Sequence, residues 1–170
     1  MEEAQICLQE EGVASLQIIF NIFRQKPIAS IFKEAQEKQV ALIVRLPLAS
    51  GLLSGKLKKD SNFADNDHRN YNRDGQEFNV GETFAGLPFE KGLELVDSLK
   101  KFAPENLSQF ALRWVLDFEA VRVVIPGSKN PLQVANNCAA SELHPLTPAT
   151  HEALSKFYSN EVAPHIRSPA

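Results

Sequence analysis

Cysteine is scarce in this chain. Cys7 and Cys138 are the two in 170 residues, and they lie far apart. That excludes a disulfide framework and a cysteine metal cluster, and it fits a reducing cytosol. No apolar run approaches the roughly 18 residues that a membrane-crossing helix needs. The opening stretch, MEEAQICLQEEG, is acidic and lacks an apolar centre, so it does not read as a signal peptide. Basic charge is not in excess: the net charge is −3, which argues against nucleic acid as a partner. Short internal repeats and low-complexity tracts are absent. The expectation is a cytoplasmic protein with neither nucleic acid nor membrane as partner.

What is present is ordinary for a globular chain: 44% hydrophobic and 23% charged residues, enough for one domain with a sizeable core. Glu2–Glu11 reads as a short helix ending near Gly12. Val13–Phe23 (VASLQIIFNIF) reads as an apolar strand with Gln17 inside it. Pro27 opens a helix in which Ile28, Ile31, Phe32 and Ala35 form an apolar stripe. Val40–Leu46 reads as a second strand, carrying Arg45, and PLASGLLSGK after it as a Pro- and Gly-punctuated turn. Leu57–Leu87 is polar and aperiodic, which suggests a functional or disordered loop.

Order resumes at Pro88. Phe89, Leu93, Val96 and Leu99 mark a helix, and Pro104 separates it from another capped by Asn106. In that second helix Leu107, Phe110, Ala111, Trp114, Val115 and Phe118 make a core-facing stripe. A last helix starts at Thr147-Pro148, and Pro164 is expected to begin a frayed tail within residues 159–170.

The stretch VRVVIPGSKNPLQVANN organises the rest. Val121–Ile125 is a short β-branched run, hence a buried strand. It stops at Pro126-Gly127. Asn130 then looks like an N-cap and Pro131 like the first helical residue. Amide N–H groups at such a helix start lack intrahelical acceptors and can receive an anion, with Lys129 adding a full charge. The same residues also fit a plain capping box, with Gln133 reaching back to the cap.

Continuous apolar strands alternating with amphipathic helices imply an α/β fold with a parallel sheet buried on both faces. Three strands cannot close a barrel, since a (β/α)8 barrel needs eight and typically about 250 residues. The sheet would then have exposed apolar edges. Three strand ends carry unusual residues: Gln17, Arg45 with the turn after it, and the 127–133 stretch. In parallel α/β folds the carboxyl ends of the strands face the ligand.

RLPLASGLLSGK at 45–56, ALRWVLDFEAVRVVIPGSKNPLQVANN at 111–137 and Gln17 in its strand resemble the C-terminal half of the aldo-keto reductases. DHRNYNRDG at 67–75 is similar to the long loop of a bacterial-type branch. The resemblance implies a partial (β/α)8 (TIM) barrel: about three parallel strands with flanking helices, residues 1–170 forming the C-terminal portion, with a long loop at 57–87. It implies NADP(H) as cofactor and a small carbonyl compound as substrate of the complete barrel. On the same ground Gln17 would bond the nicotinamide carboxamide, and Arg45 would stand where many members stack an aromatic ring. Leu46, Pro47, Leu48, Ala49, Ser50 and Lys56 would line the pyrophosphate, and Arg69 would approach the adenosine phosphates. Gly127, Ser128, Lys129 and Asn130 would hold the 2′-phosphate. Gln133 and Asn137 would contact the adenine, with Asn136 beside them.

Two departures matter. Many members have Arg where this chain has Gln133, so Lys129 and Arg69 carry the charge toward a 2′-phosphate. The family's catalytic Asp, Tyr, Lys and His belong to its N-terminal half. Here Tyr71 falls in the polar loop and Tyr158 on a helix stripe, while His68, His144, His151 and His165 are expected in loops or the tail. No catalytic residue is assigned. Three readings follow: the cofactor-binding half of an oxidoreductase, paired with a missing N-terminal half or with itself; a non-catalytic NADP-binding module; or a phosphate-binding (β/α) enzyme of another class.

Overall fold

A computed structural model describes residues 1–103 and 105–167. Pro104, expected to separate two helices, lies outside them, as do residues 168–170 of the tail. Strands β1 (Ser15–Ile19), β2 (Ala41–Arg45) and β3 (Val121–Ile125) form one parallel sheet in the order β1-β2-β3. Sequential order without reversal is that of a barrel wall, not of a doubly wound sheet. Helix α1 (Glu2–Gln9) precedes β1. Between β1 and β2 runs a helix wound as a π-turn over Ile28–Phe32 and as α2 over Lys33–Glu37. Between β2 and β3 lie α3 (His68–Tyr71), α4 (Phe89–Leu99) and α5 (Leu107–Leu116), and after β3 come α6 (Pro131–Cys138) and α7 (Pro148–Phe157).

The expected strand Val13–Phe23 is too long. Pairing ends at Ile19, although Phe20, Ile22 and Phe23 beyond it are fully buried. Asn21 turns the chain. Its side-chain oxygen accepts the Phe23 N–H at 3.0 Å, and Arg24 N–H bonds Asn21 O at 2.8 Å. Asn competes with ladder bonding in this way wherever its carbonyl reaches the backbone two residues on.

Burial on both faces is not what the sheet shows. Leu42, Val44 and Ile18 are buried under the helices. On the opposite face Gln17, Ile43 and Val123 share one row, and Ile19, Arg45 and Ile125 the next. There Val123 and Ile125 are nearly half exposed, at 46% and 45%. In a closed barrel this face would line the interior. Glu82 reaches Arg45 on this face at 2.9 Å, while among the described residues Val123 and Ile125 stay open.

The helix-side core is built on the stripe of α5. Trp114 and Ala111 are buried, and Trp114 meets Phe20 at 4.9 Å and Phe118 at 4.9 Å between ring centroids. Such aromatic pairs add about 0.5–1.5 kcal/mol beyond area burial. Asn106 caps α5, accepting Gln109 N–H at 3.2 Å.

The stretch 57–87 is an ordered strap, not a featureless loop. Asn72 and Thr83 are fully buried and bonded to each other at 3.1 Å, and Phe84, Ala85 and Leu87 enter the core. Nor does the chain fray at Pro164 within the described residues. Val162 is buried, and Arg167 donates to Gly86 O and Leu87 O and pairs with Asp74 at 2.6 Å. The tail thus ties down the strap.

Candidate functional site

The strand register sets the site. Ile19, Arg45 and Ile125 align at the carboxyl ends of the three strands, and Gln17 sits one row back on the same open face. Gln17 is exposed. Gln17 and Arg45 border one cleft of about 260 Å³, together with Ile19, Arg24 and Glu82. Arg45 Nη1 pairs with Glu82 Oε2 at 2.9 Å. The bond from Arg45 holds the Glu82 carboxyl below its ordinary pKa, against the opposing effect of partial burial.

The turn after β2 is strained. Leu46, Ala49 and Ser50 all adopt left-handed backbone, with φ of 53°, 49° and 55°, and Gly51 follows at 95°. Non-glycine residues held there cost about 1–3 kcal/mol each, and such strain concentrates at functional sites. Neighbours hold it in place. Asn21 Nδ2 donates to Leu46 O at 3.0 Å. Helix α4 packs so closely that a Cβ at Gly92 would lie 2.7 Å from Leu52. Pro47 and Ala49 are buried, so they can meet a ligand only through their backbone, Leu46 and Leu48 are partly exposed, and Lys56 is exposed.

The strap folds α3 onto this turn. Arg69 lies over the Phe63 ring at 4.4 Å, and its Nη1 would be 3.6 Å from a Cβ at Gly51. Arg69 also donates twice to Asp67, at 2.9 and 2.6 Å. These bonds hold the Asp67 carboxyl down to about 2.

Ser50, His68 and Asp67 stand in line like a hydrolase triad: Ser50 Oγ to His68 Nε2 is 3.2 Å, and His68 Nδ1 to Asp67 Oδ1 is 3.5 Å. Proton accounting rules out an activated serine. Ser50 donates its proton to Glu82 O and accepts from Phe84 N–H, each at 3.2 Å. His68 is left to donate to Ser50, and Asp67 is engaged by Arg69. This cluster ties the strap to the turn.

At the third strand end the capping arrangement is formed. Asn130 Oδ1 accepts Gln133 N–H at 2.9 Å, and Gln133 Oε1 accepts Lys129 N–H at 2.8 Å. The reach goes one residue further than a standard capping box, past the cap residue itself. Two of the amides that an anion would use are thereby engaged. Lys129 is exposed, and a Cβ at Gly127 would meet nothing within 4 Å. Asn137 Nδ2 donates to Ser128 Oγ at 2.9 Å, joining two of the predicted residues. Asn136 is turned to α5, bonding Asn106 and Gln109, each at 3.0 Å.

The chemistry of this set fits a phosphate-bearing dinucleotide. Lys129 and Lys56 supply exposed charge beside the two turns, Arg69 adds a guanidinium already bonded to Asp67, and Gln17 offers an amide one row behind the strand ends. Arg45 would have to leave or share Glu82 to stack on a ring. The sequence reading missed Glu82, His68, Asn21 and Arg24. Asn21 and Arg24 gave the signal that singled out Gln17, a polar residue in or beside an apolar run. Glu82 and His68 gave none, being polar residues in a polar strap. His68 opens α3 and His151 lies on α7, neither in a loop or the tail, and His151 bonds Asp117 at 2.9 Å.

The sequence signature of the aldo/keto reductase family matches residues 1–159. The chain is 28% identical over 137 residues to aldo-keto reductase str7 of Strobilurus tenacellus, covering 77% of this chain and 38% of that protein. It is 26% identical over 154 residues to aldo-keto reductase yakc [NADP(+)] of Schizosaccharomyces pombe, covering 87% and 42%. The fold matches glycerol dehydrogenase AKR11B4 from Gluconobacter oxydans with a TM-score of 0.73 at 26% identity, over 99% of this chain and 48% of that one. Aldo-keto reductase AKR11C1 from Bacillus halodurans, in its holo form, matches with a TM-score of 0.64 at 23% identity, over 90% and 45%. The chain spans less than half the length of these relatives. It belongs to the aldo/keto reductase family, and its three parallel strands with flanking helices are part of that barrel.

Proposed function

We propose that this aldo/keto reductase chain is the cofactor-holding part of an NADPH-dependent carbonyl reductase of the cytoplasm. The observation that carries the reading is the row Ile19, Arg45, Ile125. It brings Gln17, the strained turn at 46–51 and the turn at 127–130 to one end of one sheet. NADPH, when bound, supplies the hydride. Gln17 would orient the carboxamide. The backbone of Leu46–Ser50, with Lys56, would meet the pyrophosphate, and Arg69 on the strap the adenosine phosphates. Gly127–Asn130 would take the 2′-phosphate, and Gln133 and Asn137 the adenine side.

Reduction also needs a proton for the carbonyl oxygen, and among the described residues neither tyrosine suits that step. Tyr71 is exposed on the strap and touches Phe78 at 6.2 Å between ring centroids. Tyr158 has its phenol pushed up by burial, the reverse of what a proton donor near neutral pH requires. In this reading the donor comes from polypeptide beyond these residues, in the same or another chain.

The test is a fluorescence titration of the chain with NADPH and NADH, followed by an assay with a generic aldehyde. Saturable NADPH binding without aldehyde reduction supports the reading. Failure of both cofactors to bind would sink it. A non-catalytic NADP-binding module is favoured only if binding persists and no added barrel half restores turnover.

A further inference from the structure

Glu82 reaches the strand ends from the strap. It borders the same cleft as Gln17 and Arg45, and its Oε2 accepts from Arg45 Nη1 at 2.9 Å. Its place in the chain does not depend on that bond. Glu82 N–H bonds Asn79 O at 3.0 Å, and Ser50 donates to Glu82 O at 3.2 Å. The next residue, Thr83, is buried and bonded to Asn72. The backbone of Glu82 is therefore held at the cleft whether or not Arg45 shifts toward a ring. The bond from Arg45 keeps the carboxyl below its ordinary pKa, so it is charged at neutral pH.

Two opposite charges thus stand beside the place read for the nicotinamide, and the two states of that ring differ by one charge. The oxidised ring is a cation and the reduced ring is neutral. The phosphates and the adenosine are the same in NADP+ and NADPH, so contacts with the turns cancel from the ratio of their affinities. Met1, Glu3, Arg24 and Lys26 also border the cleft, and they too are the same in every comparison below. What remains is the balance between Arg45, which repels the oxidised ring, and Glu82, which attracts it. Even at a water-like dielectric, a unit charge about 7 Å from a cation changes its affinity by about threefold, and partial burial raises the factor.

We infer that Glu82 sets the oxidation-state preference of the cofactor site: its carboxylate offsets the Arg45 guanidinium and stabilises the oxidised, cationic nicotinamide over the reduced one. The inference rests on the reading that the nicotinamide lies in the cleft of Gln17 and Arg45. In carbonyl reduction a hydride passes to the carbonyl carbon, the oxygen takes a proton, and the ring is left cationic. A carboxylate beside it favours that direction. Glu82 acts by its field in this account and moves no proton.

The experiment titrates the full chain with NADP+ and with NADPH by calorimetry. Glu82→Gln should weaken NADP+ relative to NADPH by about threefold or more, and Arg45→Gln should strengthen NADP+ relative to NADPH by a similar factor. The double variant Arg45→Gln/Glu82→Gln should return close to the wild-type ratio. Opposite signs separate a field from a structural role, because a loosened strap weakens both forms together. Glu82→Asp keeps the charge and should keep the wild-type ratio. Arg45→Gln keeps the test open should Glu82→Gln not fold, since Glu82 is then the unpaired charge and an unchanged ratio overturns the inference. A ratio that moves the same way in both single variants overturns it as well, and so does a shift in Glu82→Asp equal to that in Glu82→Gln. In each of these cases NADPH still binds and the dinucleotide reading stands. Failure of both forms to bind the wild-type chain overturns that reading and the inference with it.

Discussion

Arg45 Nη1 lies 2.9 Å from Glu82 Oε2, so the end of β2 and the strap that follows it share one ion pair. Ser50 reinforces the link by donating to Glu82 O at 3.2 Å. The residue that would face a nicotinamide is therefore also the residue that holds the strap. Both side chains are about one-third exposed, so the pair itself is worth only about 0–1 kcal/mol. Glu82→Gln should leave global stability nearly unchanged while the amides of Val80–Gly86 exchange faster with solvent. Hydrogen exchange read by mass spectrometry checks this, and unchanged rates in that segment would mean that Ser50 and the buried Asn72–Thr83 pair hold the strap alone.

Acid should loosen the same strap. The Asp67 carboxyl is held down to about 2, first by the Arg69 hydrogen bond, from an ordinary value of 3.8. A carboxylate with a depressed folded-state pKa contributes stability that is complete above its unfolded pKa and is lost as pH falls through the folded one. The contribution is thus present above about pH 4 and disappears between about pH 4 and 2. Glu82 is shifted in the same direction by Arg45. The Asp67 carboxyl carbon, followed by NMR, should titrate near the bottom of that window. In Asp67→Asn the acid-induced loosening of α3 should be weaker. A midpoint at the ordinary Asp value would show that the Arg69 contacts do not persist in solution.

Much of the architecture was legible because it rests on period and punctuation. The stripe on α5, the Asn106 and Asn130 caps and the alternation of strand and helix all follow from side-chain chemistry acting over a few residues. The strap and the tail were not legible. Arg167 reaches the backbone carbonyls of Gly86 and Leu87, and carbonyls carry no sequence signature. Burial on both faces was read wrongly because an apolar strand looks the same whether a helix or the interior of a barrel covers its second face. Gln17 and Arg45 stood out as polar residues at apolar strand ends. The pairing of Arg45 with Glu82 spans 37 residues and leaves no local trace.

Asp117 is the charge on which the helix layer depends. Its side chain is 5% exposed and bonds Arg113 at 2.9 Å, His151 at 2.9 Å and the Leu146 N–H at 2.9 Å. Removing one member of a buried ion cluster leaves the others uncompensated, typically at a cost of about 3–5 kcal/mol. Asp117→Ala should therefore destabilise the chain by about that amount in urea denaturation, and Asp117→Asn by less, since its oxygen can still accept from Leu146. A loss under about 1 kcal/mol in Asp117→Ala would mean that solvent reaches and compensates the cluster.

The open face of the sheet should drive association. Val123 and Ile125 are apolar and nearly half exposed there, and β1 and β3 are unpaired edges of the three-stranded sheet. Apolar surface beside open strand edges favours pairing with another chain. The purified chain should self-associate at tens of micromolar (an order-of-magnitude range), and Val123→Lys should reduce this by placing a charge where the contact forms. Light scattering decides. A compact monomer in both proteins would show that neither the face nor the edges are sticky.

The turn at 127–130 carries the sharpest test of the cofactor reading, because it can be either an anion site or only a capped helix start. The cap is formed, through Asn130 to Gln133 and Gln133 to Lys129 N–H. A 2′-phosphate would compete with the Gln133 side chain for the Lys129 amide and would also meet the Lys129 ammonium. Only NADP carries that phosphate. Lys129→Ala should therefore weaken NADP by about tenfold or more and leave NAD nearly unchanged. Gln133→Ala frees the amide at some cost to the helix start, and it should not weaken NADP as Lys129→Ala does. Asn130→Ala should weaken both dinucleotides, since losing the cap costs about 1 kcal/mol and loosens the whole turn. Arg45→Ala should also act on both alike, because the nicotinamide is common to them. Parallel titrations of NADP and NAD against these variants give the answer. Equal losses for the two dinucleotides in Lys129→Ala would reduce the turn to its cap, and any preference for NADP would then have to come from elsewhere, with Arg69 on the strap the next residue to test.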